Sequence, residues 1–204
     1  MRILKTLAVA GMLTLFATVA PTLAAPAQSP EAFVQGLVDN ALTELKGQLP
    51  DAELKSRFRA MATQNFDLPY LSHTMLGRFG DGLSEGQRST FGRLFVTYII
   101  ESHAKDFKEF ADQSIRVTGS RLQDNDVVVL SQLTTGDPTN PVVRLDWTLH
   151  QAKEHFLVAD IKITDTEGSM GLAQTHKDDI VSILKRQGFD ALLRIITAKL
   201  VELK

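Results

Sequence analysis

PVVRLDWTLHQAKEHFLVADIKIT, residues 141–164, decides the fold. Val143, Leu145, Trp147 and Leu149 alternate with Arg144, Asp146, Thr148 and His150. A period of two puts the first set on one face of a strand and the second on the other. QAKE, residues 151–154, reads as the turn, and HFLVADIKIT resumes as a second β-branched strand. One apolar and one polar face is the pattern of an antiparallel sheet covered on one side. Upstream, SIRVTGSRL (114–122) and DNDVVVLSQL (124–133) have the same character, so about four strands follow one another as a meander.

Both flanks of the meander change to helical spacing. Ser29-Pro30-Glu31 starts a helix, with a capping hydroxyl, a proline at the first position and an acid near the positive end. Phe33, Leu37, Ala41, Leu42 and Leu45 carry that helix to about Lys46. Asp51 is placed to cap a second helix bearing Leu54, Phe58 and Met61, and a shorter third starts near Leu68-Pro69 and ends near Gly77. FGDG, residues 79–82, breaks the pattern. Ser84 and Gln87 then form a capping box opening a long helix to about Phe110, whose apolar face holds Phe91, Leu94, Phe95, Tyr98 and Ile99. After the strands come two more helices, about Gln174–Gln187 and Asp190 to the C-terminus, separated by Gly188. Helices, then a meander, then helices is an α+β domain, with N- and C-terminal helices packed on a twisted antiparallel sheet.

The first residues are read separately. Met1, Arg2 and Lys5 make a basic start, and an apolar run from Leu7 to Val19 is short for a bilayer span. Small residues follow in TLAAPAQ. This is the layout of a secretory signal peptide over residues 1–24, with cleavage after Ala24 or as late as Ala27. Residues 25–204 then form one domain. The chain has no cysteine, which excludes a lipid-attachment cysteine, a disulfide framework, thiolate nucleophiles and thiolate metal sites. Loss of Arg2 and Lys5 takes Lys+Arg from 22 to 20 against 24 acids, a net charge of −4. Such a balance argues against nucleic acid as a partner. The expected product is soluble, exported and periplasmic.

Catalytic signatures are missing. There is no H-E-x-x-H, G-x-S-x-G, P-loop or dinucleotide glycine fingerprint. Asp81 lies in a GDG turn, but the further oxygen ligands of a calcium loop do not follow it. The histidines at 73, 103, 150, 155 and 176 are scattered and read most simply as structural or surface residues. Asp160 stands between Ala159 and Ile161 in an apolar strand, and a buried acid needs partners. Residues alone therefore leave open a small exported enzyme, with Asp160 and His150 or His155 as its dyad. They also leave open a filled core with no ligand.

Two blocks carry a family resemblance. FDLPYLSHTMLGRF (66–79) is followed by LSEGQRSTFGRLFVTYI (83–99), and HFLVADIKITDTEGSMGLAQTHKDDIVSILKRQGFDALLRII spans 155–196. This order resembles the MlaC family of periplasmic phospholipid-binding proteins, also described as toluene-tolerance or auxiliary ABC-transport proteins, which includes the hopanoid-associated HpnM branch. The sequence departs from the family pattern at Phe79 and Phe156, where tryptophan is frequent. It departs again at Ala173-Gln174-Thr175-His176-Lys177, where tyrosine and arginine are usual.

The resemblance implies an MlaC-like, NTF2-like architecture around an apolar cavity, with no catalysis, cofactor or metal. It implies a monomeric carrier shuttling phospholipid, or a hopanoid-type lipid, across the periplasm. Its partners would be an outer-membrane lipoprotein complex and an inner-membrane ABC lipid transporter complex. As lipid-lining candidates it marks Met75, Leu76, Phe79, Phe91, Leu94, Phe95, Tyr98 and Ile99 on the helical side. On the sheet side it marks Val143, Leu145, Trp147, Leu149, Phe156, Val158 and Met170.

Overall fold

The structure is a computed structural model that describes residues 28–47, 49–109, 111–134, 142–152, 155–166 and 168–203. The signal peptide expected at 1–24 lies outside the described residues, as do Phe110 and residues 153–154 of the expected QAKE turn. Among the described residues, six α-helices, a 3-10 turn and five strands follow in the order α1 (Pro30–Lys46), α2 (Asp51–Asn65), α3 (Leu68–Leu76), the turn Gly77–Gly80, α4 (Glu85–Glu109), β1 (Ser114–Gln123), β2 (Asp126–Thr134), β3 (Val143–Ala152), β4 (His155–Thr164), β5 (Ser169–Gly171), α5 (Leu172–Gln187) and α6 (Phe189–Glu202). Among the described residues no helix is long and apolar enough to cross a membrane.

Side-chain caps set the starts of α1, α3 and α4. The Ser29 hydroxyl accepts the Ala32 N–H at 3.1 Å, with Pro30 opening α1. Ser84 and Gln87 satisfy each other reciprocally: Gln87 N–H donates to Ser84 Oγ (3.2 Å) and Ser84 N–H to Gln87 Oε1 (2.9 Å). Asp67 caps α3 by accepting the Tyr70 N–H at 2.9 Å. Asp51 is not the cap expected of it. Pro50 holds that position, and Asp51 begins the helix, where a carboxylate still meets the positive end.

The sheet is an antiparallel meander in the order β1-β2-β3-β4-β5. About four strands were expected, and the fifth is the correction. Ser169–Gly171 is only three residues long, too short to show a period, and it is a strand because it pairs with Lys162–Thr164. Bulges interrupt β1 between Val117 and Gly119, and the β3–β4 pairing beside Leu149. The first bulge is occupied from above: Gln35 Oε1 on α1 accepts the Val117 N–H at 3.1 Å.

Burial divides into two cores. Val34 and Val38 of α1 pack with Val129, Leu149 and Val158, joined by half-buried Phe33, Phe66, Trp147, Phe156 and Ile161. A second, helical core holds Met75 and Leu76 of α3, Phe91, Phe95 and Ile99 of α4, Ile180 and Leu184 of α5, and Leu192 and Ile196 of α6. The two share no residue. They are joined along β4, where Asp67 N–H donates to Val158 O at 2.9 Å and Phe66 bridges Val158. Against the helical core, α2 is held to α4 by Glu101. Its carboxylate meets Lys55 at 2.6 Å and Arg59 at 2.7 Å.

Candidate functional site

Long apolar spacing on α4 brings its aromatic residues into one row. The Phe91 and Phe95 rings stack at 5.8 Å. The row ends at His176 on α5, whose ring takes edge contacts from Phe95 at 5.8 Å, Tyr98 at 5.9 Å and His103 at 6.4 Å. His176 stands four residues before Ile180 and eight before Leu184, so the inward stripe of α5 presents it.

Two cavities meet at this imidazole. The smaller, about 40 Å³, is an apolar cleft between α4, α5 and α6, lined by Phe95, Tyr98, Ile180, Leu192, Ile196 and neighbours, with Asp179 and Lys199 at its polar side. The larger is a hollow of about 520 Å³. Its walls are His103 from α4, Thr175 and His176 from α5, and Ile163, Asp165, Gly168, Ser169 and Met170 from the β4–β5 hairpin. Ile163 and Met170 are register partners across that hairpin, and both are exposed, Met170 at 57%. They form an apolar lip on an otherwise hydroxyl-rich rim. Thr164 and Ser169 share a hydrogen bond at 2.9 Å, and Thr175 Oγ1 donates to Gly171 O at 3.1 Å.

His176 Nε2 is buried and makes no hydrogen bond to any described residue. Burial pushes the pKa of this imidazole below the ordinary 6.5, His103 and Lys199 push it the same way, and Asp179 opposes them. The ring is therefore neutral at pH 7 and carries one N–H donor and one acceptor nitrogen.

The expected lining residues fall into three places. Met75, Leu76, Phe91, Phe95 and Ile99 are buried in the helical core, with Phe79, Leu94 and Tyr98 half-buried against it. Leu149 and Val158 are buried in the sheet core, with Trp147 and Phe156 against it. Leu145 is buried and Val143 half-buried, outside both clusters. Met170 reaches the large hollow, and Phe95 and Tyr98 reach the cleft. The α4 set and the sheet set thus belong to different cores. His103, Ile163, Thr175 and His176 were not anticipated. The signal that could have found His176 is its place on the Ile180–Leu184 stripe, where a polar side chain points inward.

The alternative Asp160 dyad is not assembled. Both nitrogens of His150 face other acids, Nδ1 at 2.9 Å from Asp67 Oδ2 and Nε2 at 3.6 Å from Asp126 Oδ1. Register pairs Asp160 with Thr148 and His150 with Leu157, while His155 is exposed at the start of β4. Asp160 instead lies against Gly171, where a Cβ would come within 2.9 Å of its Oδ2. Among the described residues no group of three His, Asp or Glu is placed to hold a metal ion.

Comparison with known proteins adds two findings. The family model described as "MlaC protein" matches residues 35–198. A phospholipid-binding protein from Ralstonia solanacearum, solved in complex with a phospholipid, superposes with a TM-score of 0.68 at 22% identity, covering 85% of this chain and 97% of that one. That likeness is one of fold. No curated protein matches the chain.

Proposed function

The chain belongs to the MlaC family, and on that premise we propose that it is a periplasmic lipid carrier. In this reading it takes up phospholipid or a related lipid, keeps the hydrocarbon out of water, and passes it between an outer-membrane lipoprotein complex and an inner-membrane ABC lipid transporter complex. The observation that carries the reading is the hollow of about 520 Å³ with its exposed Ile163–Met170 lip. Its size is within the range of about 300–1,000 Å³ common for ligand sites. It adjoins the apolar cleft beside Phe95 and Tyr98, so hydrocarbon placed there meets aromatic and aliphatic walls. The fold shared with a protein solved around a phospholipid agrees with this use, and so does the export signal read in residues 1–24.

The need for a carrier is physical. Each acyl methylene exposed to water costs about 0.8 kcal/mol, so two chains of ordinary length cost more than about 20 kcal/mol in free solution. A carrier only has to offer a lining comparable to the membrane at both ends of the route. The apolar residues Phe79, Leu94 and Tyr98, which lie at the margin of the helical core rather than in its centre, and Met170 on the lip of the hollow are the proposed contacts.

Native mass spectrometry with lipid extraction, on protein purified from bacterial periplasm, tests this. Co-purifying diacyl lipid, or a hopanoid, is the expected result and identifies the class. A clean apo mass that lipid vesicles do not change would remove the proposal.

A further inference from the structure

We propose that His176 is the polar contact for the glycerol ester linkage of the bound lipid, donating from Nε2–H to an ester carbonyl oxygen; this rests on the lipid-carrier reading above. Three observations converge on it. First, His176 belongs to both cavities, so it stands where an apolar cleft meets a hydroxyl-rimmed hollow. A diacyl lipid has one such boundary of its own, at the ester linkages between its chains and its headgroup. A lipid whose chains part the cleft walls beside Phe95 and Ile180, with its headgroup toward Ser169 and Thr175, sets that boundary on His176.

Second, Nε2 is buried with no hydrogen-bond partner among the described residues. Leaving a polar group so carries a desolvation cost, which a ligand hydrogen bond recovers. The ring itself is packed against Phe95, Tyr98 and His103, so little of its freedom is left to lose when a ligand arrives.

Third, the electrostatics select an uncharged oxygen over a phosphate. The hollow's described lining includes the acid Asp165 and no lysine or arginine. Lys199 lies on the cleft side, with its ammonium 5.6 Å from the centre of the Tyr98 ring. Burial, His103 and Lys199 all favour the neutral imidazole. A neutral N–H suits a carbonyl, and the phosphate is left at the rim in water.

The test labels the histidine nitrogens with ¹⁵N and records the His176 resonances, assigned by their loss in His176→Phe. Three probes are used: diacyl phosphatidylethanolamine, its dialkyl ether analogue without the carbonyls, and diacylglycerol without the phosphate. The Nε2 signal should move with both ester lipids and stay put with the ether lipid. In competition measured by native mass spectrometry, the wild-type protein should prefer the diester to the diether about fivefold, and His176→Phe should hold both about equally. Equal movement with the two phosphatidylethanolamines and none with diacylglycerol would assign the contact to phosphate and overturn the proposal. Lipid bound with no movement would overturn it too, leaving the carrier reading intact, whereas failure of every lipid to bind would remove both.

Discussion

His150 on β3 and Asp67 at the head of α3 are joined side chain to side chain, with Nδ1 2.9 Å from Oδ2. The contact ties the helical layer to the sheet across two cores that otherwise share no residue. Asp67 does two jobs, since its other oxygen caps α3 through the Tyr70 N–H at 2.9 Å. Tyr70 also lies edge-on to the His150 ring at 4.4 Å.

Asp67→Ala removes the cap and the tie together. A lost cap costs about 1 kcal/mol and a hydrogen bond to a charged group about 1.5–3. With both side chains partly exposed, a total of about 1–3 kcal/mol is expected in urea unfolding. Asp67→Asn keeps a capping oxygen and should lose less, the difference being the roughly 1 kcal/mol of the cap. Equal losses for the two variants would show that the cap contributes nothing.

Glu101 is buried, its side chain 5% exposed, and it answers two cations on α2, Lys55 and Arg59. Glu101→Ala leaves both unpaired against the helical core. Breaking a fully buried pair costs about 3–5 kcal/mol, and since both cations reach solvent, about 2 kcal/mol is expected here. Combining Glu101→Ala with Arg59→Ala should cost less than the sum of the single changes. Strict additivity in that double-mutant cycle would mean the pair does not couple α2 to α4.

Gly92 faces α3 so closely that a Cβ there would come within 2.5 Å of Ser72 Oγ and 3.3 Å of Leu68 O. Alanine is the better helix former by about 1 kcal/mol, while overpacking costs about 1–3. Gly92→Ala should therefore lower stability by about 1 kcal/mol despite the propensity gain. Ser72→Ala in the same chain removes the nearest clashing atom and should recover much of the loss. Thermal unfolding of the single and double variants reads this directly, and a stabilising Gly92→Ala would refute the close approach.

The meander was legible because Val143 to Leu149 alternate cleanly, and the long helix because Ser84 and Gln87 announce it. β5 was not legible, since three residues owe their conformation to a partner strand rather than to any pattern of their own. Which core each apolar face would enter was also hidden. Phe91 and Phe95 look like a wall facing the sheet, yet α4 packs on α2, α3 and α6, because α1 already covers the apolar face of the strands. His176 was passed over as one histidine among five. Its importance comes from Phe95, Tyr98 and His103, all more than 70 residues away in sequence, and spacing along one helix cannot report that.

The depressed pKa of His176 makes a signed prediction about acid. Burial is the main cause, His103 and Lys199 add to it, Asp179 opposes it, and Asp165 is the acid sharing the hollow. In the unfolded chain the imidazole takes up its proton near pH 6.5, while in the folded chain it does so only at lower pH. Between those two points the unfolded state holds more protons, so stability falls as pH falls through the window. Above pH 6.5 the group is neutral in both states and contributes nothing to the slope; below the folded value the loss is complete. The melting temperature should therefore drop between pH 7.5 and 5.5 in the wild-type protein and drop less in His176→Phe, which keeps the ring contacts without the titration. Parallel curves for the two proteins would show that His176 titrates alike in both states and that its burial carries no charge penalty.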